Sequence, residues 1–203
     1  MTLTRTRLVA TALSVAFGSA AGGCSTPRSP SKDEVSRSIE SSRRMADGKQ
    51  WLTENLRIDT SGSYCYGDSE LNCRRYGRLY TWDAARQGCR SLGAGWRLPT
   101  DEEWRILAKH YGGVREESDD AGKASYTALM SGGSAGFNAL LGGDREPGDG
   151  RYARGDNHGF YWTVSETDAR SAWFYNFGLG QTSLNRHPEG NKQMAVSVRC
   201  VSE

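Results

Sequence analysis

The densest concentration of chemically capable side chains lies in one glycine-rich segment, Gly142 to His158 (GGDREPGDGRYARGDNH). It carries Asp144, Arg145, Glu146, Asp149, Arg151, Tyr152, Arg154, Asp156 and His158. Carboxylates, guanidinium groups and an imidazole gathered in this way can grip a cation or hydrogen-bond a polar ligand. Trp162, a few residues on, adds an aromatic face of the kind that stacks on the apolar side of a sugar ring. Together these residues form the candidate ligand-binding set. Each also has a plainer reading, because loop carboxylates are commonly solvated charge and tryptophans at strand spacing commonly fill a core. Arg154-Gly155-Asp156 spells an integrin-recognition tripeptide, for which turn chemistry at the glycine is sufficient reason.

Catalytic and metal chemistry find fewer footholds. His110, His158 and His187 lie far apart without metal-ligand spacing, and no Gly-x-Ser-x-Gly elbow is present. Leaving aside Cys24, the cysteines are Cys65, Cys73, Cys89 and Cys200. They contain no Cys-x-x-Cys pair and fit no zinc module, so they read as disulfides. Three pairings are possible. Proximity favours Cys65 with Cys73, leaving Cys89 with Cys200 to close a loop of more than 100 residues. A loop of that size contributes about 4.7 kcal/mol in the chain-entropy view, comparable to a domain's whole stability. The expectation is a non-enzyme with no cofactor and no bound metal.

The N-terminus reads as an export signal. Arg5 and Arg7 precede an apolar run, Leu8 to Ala21, that is short for a bilayer span. Ala21-Gly22-Gly23-Cys24 then resembles a bacterial lipoprotein processing site, with Ala21 where Leu is usual. That implies cleavage before Cys24 and acylation (a diacylglyceryl group plus an amide-linked chain such as palmitate), anchoring the mature protein to a membrane. Ser25 after the cysteine favours the outer membrane, on its surface or periplasmic face; without acylation the protein would be secreted. Loss of Arg5 and Arg7 leaves 24 basic residues against 24 acidic ones, a balance that argues against nucleic-acid binding.

The elements that must position the candidate residues follow from periodicity. Residues 1–23 are the signal, 24–44 the lipidated cysteine and a flexible tether rich in Ser, Pro and charge, and 45–203 one globular domain. Val35 and Ile39 allow a brief helix within the tether. Short opening strands are predicted at Trp51-Leu52 and Asn55-Leu56, followed by a disulfide-pinned loop from Asp59 to Arg75. Leu79, Trp82, Ala85, Cys89 and Leu92 predict one helix, with Thr81 as a possible N-cap and Gly93 as terminator. Thr100 and Glu103 form a capping box for a second, ending at Gly112-Gly113. Strands are predicted at Phe137–Leu141, Phe160–Val164, Ala172–Phe177 and Met194–Val201. In the last, Met194, Val196, Val198 and Cys200 face the core while Ala195, Ser197 and Arg199 face away. Six Trp, nine Tyr and 25 Gly fit aromatic-packed short strands joined by tight turns.

The segments GRLYTW (77–82), GWRLPTDEEW (95–104), GFNALLGG (136–143), GFYWTVSE (159–166) and SVRCV (197–201) resemble the Fibrobacter succinogenes major paralogous domain family. The resemblance runs from about Met45 to Cys200 and implies an α+β, C-type-lectin-like fold: two helices packed on small antiparallel sheets, loop-rich and disulfide-stapled. Calcium-dependent lectins of that fold use Glu-Pro-Asn or Gln-Pro-Asp with Trp-Asn-Asp. Here the tripeptide is Glu146-Pro147-Gly148 and Trp-Asn-Asp is missing, so the calcium motif is incomplete. Formylglycine-generating, sulfatase-modifying enzymes share a related fold and use a cysteine pair, which supplies an alternative enzymatic reading. A purely structural envelope role is the third. The reading the sequence favours is a non-catalytic surface module for glycan, cell-wall polymer or protein.

Overall fold

A computed structural model describes residues 29–203. The signal segment and Cys24 lie outside the described residues. The chain order is α1 (Lys32–Glu40), β1 (Ser42–Arg44), β2 (Gln50–Leu52), β3 (Ser63–Tyr64), α2 (Glu70–Tyr76), β4 (Leu79–Tyr80), α3 (Trp82–Arg90) and α4 (Asp101–Lys109). It continues with α5 (Lys123–Leu129), β5 (Asp144–Arg145), β6 (Tyr152–Ala153), β7 (His158–Glu166), β8 (Ser171–Gly178), β9 (Ser183–Asn191) and β10 (Val201–Ser202). The architecture is α+β with small antiparallel sheets, ordered β1-β2-β10, β3-β4, β5-β6 and β7-β8-β9. Both disulfides form: Cys65 with Cys73, and Cys89 on α3 with Cys200. Pairing of β10 with β2, Val201 opposite Trp51, zips the two ends of the domain together.

The central wall is β7. Its period-two alternation sends Tyr161 and Trp162, both fully buried, into different apolar clusters. Tyr161 joins Trp51, Trp104, Phe137, Tyr175 and Phe177, where Trp104 lies stacked on Tyr175 with ring centroids 4.9 Å apart. Trp162 joins Leu56, Tyr80, Trp82, Val198 and the Cys89–Cys200 disulfide. Helix α4 has the capping box its sequence predicts, with Thr100 accepting from the Glu103 amide and Glu103 accepting from the Thr100 amide. Helix α3 starts after Thr81, whose side chain makes no capping bond, and Leu79 belongs to β4 instead.

Several expectations need correction. Five α-helices are described, where the sequence predicts two and allows a brief third at Val35 and Ile39. The Asp59–Arg75 loop contains most of α2, and the short apolar stretch at Tyr126 lies on α5. Part of the expected flexible tether is ordered: α1 carries a Ser31–Glu34 capping box and packs Val35 and Ile39 on the core, and β1 extends the sheet of β2. A two-residue apolar stripe suffices here because a tertiary partner waits for it. Asn55-Leu56 is not a strand, and 137–141 contributes only a bridge, Ala139 to Met130. Strand β9 was missed because Pro188 demotes such a run in sequence; at the edge of β7-β8-β9 the missing amide is tolerated.

The most instructive departure is the run from Met194 to Val201. It is extended and buried, yet only Val201–Ser202 forms a strand. The chain changes partner almost residue by residue: Ala195 with Arg145, Val196 with Tyr80, Ser197 with Tyr161 and Val201 with Arg97. No ladder persists, because the segment threads between sheets. Arg199, predicted to face away, is fully buried for the same reason. Its guanidinium donates to Asn55 Oδ1 (2.8 Å) and to the carbonyls of Leu52 (2.9 Å), Phe137 and Asn138 (2.7 Å). It thereby ties two segments, Leu52 to Asn55 and Phe137-Asn138, to the last one.

Candidate ligand-binding site

The Gly142–His158 segment folds into a small ribbon, with Asp144 opposite Ala153 and Arg145 opposite Tyr152. Its charges are largely turned on one another. Asp144 is 1% exposed and takes two bonds from Arg154, at 2.8 and 2.5 Å, and Arg154 also reaches Glu146. Arg145 lies over the Tyr64 ring at 4.2 Å. Arg154 and Asp156 both have left-handed backbone, φ +59° and +60°, a conformation that costs these residues energy and that their side-chain bonds help to hold.

A second unit fastens the ribbon from below. Within the loop closed by Cys65 and Cys73, Asp68 accepts from Tyr152 Oη, and Tyr66 packs its ring on Tyr152 at 5.4 Å. The Gly155 amide donates to Tyr66 Oη, and a Cβ at Gly155 would sit 2.7 Å from the Tyr66 ring, so only glycine admits this approach. From α2, Tyr76 and Arg75 both donate to Asp156. Burial first, then the neighbouring carboxylate, pushes the Tyr76 and Tyr152 phenols up to about 12, so both stay protonated donors. Cys65, Cys73 and Glu70 bring ligand-type atoms within 4.8 Å, but both sulfurs are spent in the disulfide and offer no thiolate.

Of the candidate residues, then, Asp144, Glu146 and Arg154 pair internally, and Arg145, Tyr152 and Asp156 are engaged with the Tyr64 ring and the disulfide loop and α2. Asp149 and Arg151 project from the ribbon turn, where Asp149 caps the Arg151 amide. Trp162 is a correction: it is fully buried and donates to the Tyr80 carbonyl, so its face is closed to any ligand. His158, in contrast, lines a cavity.

That cavity, about 400 Å³, lies at one end of the β7-β8-β9 face that carries Phe160 and Trp162, and is lined by His158, Asn176, Gly178, Ser183, Asn185 and His187, with Gly180 and Gln181 from the hairpin tip. Register explains the assembly. His158 lies opposite Gly178 and Phe160 opposite Asn176, while Ser183, Asn185 and His187 lie opposite Gly178, Asn176 and Phe174. One sheet face therefore carries imidazoles and amides around two phenyl rings. His158 stacks on Phe160 (5.5 Å) and His187 on Phe174 (5.0 Å).

The polar groups are pre-set. Asn176 Oδ1 lies 3.1 Å from His158 Nδ1; an amide oxygen only accepts, so Nδ1 holds the proton and Nε2 is left as an acceptor in the neutral ring. Asn185 Nδ2 donates to Ser183 Oγ at 3.0 Å, leaving Oδ1 to accept. Sequence reading missed Asn176, Asn185 and His187. The alternation of Tyr175 and Phe177 already put Asn176 on the opposite face, but no sequence signal placed β9 beside it.

Residues 41–202 match the family model described as the Fibrobacter succinogenes major domain. No curated protein and no solved structure matches the chain significantly.

Proposed function

The chain belongs to the Fibrobacter succinogenes major domain family, and from that premise we propose an exported, lipid-anchored envelope protein whose domain recognises a glycan or cell-wall polymer without transforming it. The observation that carries the reading is the β7-β8-β9 cleft, where His158, Asn176, Asn185 and His187 present hydrogen-bonding groups, the two imidazoles stacked on Phe160 and Phe174. Sites that bind polyhydroxylated ligands need fixed donors and acceptors more than reactive groups, because each hydroxyl both donates and accepts. Both disulfides suit an oxidising compartment, which supports export. Consumption of all four domain cysteines counts against chemistry of the formylglycine-generating kind, which needs free thiols. A C-type-lectin-like arrangement is supported by the staple from α3 to the last segment and by the small antiparallel sheets.

The test is co-sedimentation of the full chain with purified envelope polysaccharides, sizing the polymer before and after. Saturable capture with unchanged chain length is expected. A shortened or modified polymer would convert the protein into an enzyme, and failure to bind any polymer would end the proposal.

A further inference from the structure

We infer that the β7-β8-β9 cleft takes an uncharged, hydroxyl-rich saccharide and holds it without calcium. This rests on the glycan-recognition reading and specifies the ligand class of the same site. The cleft lining has no Asp, Glu, Lys or Arg. Calcium takes six to eight oxygen ligands, carboxylates prominent among them. Of the carboxylates in the expected binding loop, Asp144 and Glu146 are held by Arg154 and Asp156 by Tyr76 and Arg75, while Glu189, outside the lining, lies 3.6 Å from His187. Arg154 is in turn committed to Asp144 and Glu146, and Arg115, at the cleft rim, is bonded to Gln181. An anionic sugar would therefore find no uncommitted guanidinium or ammonium among the lining residues.

What the lining does offer is an alternation matched to hydroxyls. His158 Nε2 and Asn185 Oδ1 are acceptors, and Asn176 Nδ2, whose oxygen is occupied by His158, is a donor. Phe160 and Phe174, 6.0 Å apart, do not line the cleft; stacked against His158 and His187, they hold the two imidazoles in place. Space comes from Gly178. A Cβ there would meet only ordinary contacts, His158 Cε1 at 3.4 Å and Nδ1 at 3.5 Å, so the backbone does not demand glycine. A larger residue would instead fill the floor of the cleft.

The experiment immobilises neutral polysaccharides (mannan, β-glucan, xylan and galactan) beside anionic polygalacturonate and measures binding of the full chain in calcium and in EDTA. Gly178→Val, which suits a strand, and Asn176→Ala are run in parallel, with thermal melts to establish that both fold. The inference expects at least one neutral polymer to bind equally in calcium and EDTA, and both variants to lose tenfold or more. Binding that disappears in EDTA, that selects only polygalacturonate, or that survives both substitutions would overturn the inference while leaving glycan recognition standing. Should no polysaccharide of either class bind, the recognition reading itself falls.

Discussion

At the scale of single residues, two buried charges decide how the frame holds. Burial pulls the Arg199 guanidinium down to about 10, so its charge is costly in the folded state, yet it remains charged at neutral pH. Its four hydrogen bonds must outweigh that cost. Arg199→Met would leave the carbonyls of Leu52, Phe137 and Asn138 unpaired in the core, and chemical denaturation should show a loss of about 3–5 kcal/mol. Arg199→Lys should recover only part, since an ammonium cannot reach acceptors spread across a guanidinium fork. Glu103 behaves oppositely. Burial pushes its carboxyl up, but bonds from Arg97, at 2.6 and 2.7 Å, and from the Thr100 amide bring it down to about 2. A folded value below the unfolded 4.5 means its stabilisation is complete above about pH 4.5 and is lost as pH falls toward 2. Thermal melts of wild type and Glu103→Gln should differ at neutral pH, by about 1–2 kcal/mol, and converge across that window. The Thr100–Glu103 box was legible because capping is local. The fate of Arg199 was not, because strand alternation assumes one solvated face and this segment has none.

At the scale of elements, the two disulfides do different work. Cys89–Cys200 ties α3 to the last segment across 111 residues, and its loss, in Cys89→Ser with Cys200→Ser, should cost about 4–5 kcal/mol and most of the domain's cooperativity. Cys65–Cys73 spans only eight, worth about 2–3 kcal/mol in the same chain-entropy view. Its larger consequence is local, because Tyr66 and Asp68 within its loop hold the ribbon. Cys65→Ser with Cys73→Ser should raise hydrogen exchange across residues 143–158 while β7 and β8 stay protected. Unchanged ribbon exchange would show that the clasp is held by its aromatic and carboxylate contacts alone. The cysteine count favoured both bridges in the sequence, and the strands at β7 and β8 were legible from their aromatic runs. Helix α1 was legible only as a brief helix in a tether, because Val35 and Ile39 gain their weight against a core, and strand β9 was not legible, because its run is polar and holds Pro188, acceptable at an edge. For the same reason the ribbon charges looked available: Asp144 and Arg154 pair across a turn whose geometry is tertiary.

At the scale of the whole molecule, a two-core domain carries the β7-β8-β9 polar cleft among its surface pockets, and the sequence pointed to its neighbourhood through His158. The anchoring expectation is separate and simple: the mature protein from its native envelope should begin at an acylated Cys24, and an unmodified N-terminus there on intact mass spectrometry would remove the membrane tether. The central claim, that this sheet face is where a saccharide is recognised and left intact, is tested most directly by hydrogen-exchange footprinting of the full chain with and without a bound envelope polysaccharide. The account predicts new protection confined to the ends of β7, β8 and β9 around His158, Asn176 and Asn185, with the polysaccharide recovered at its original size. Protection centred elsewhere, or a polysaccharide returned shortened, would contradict it.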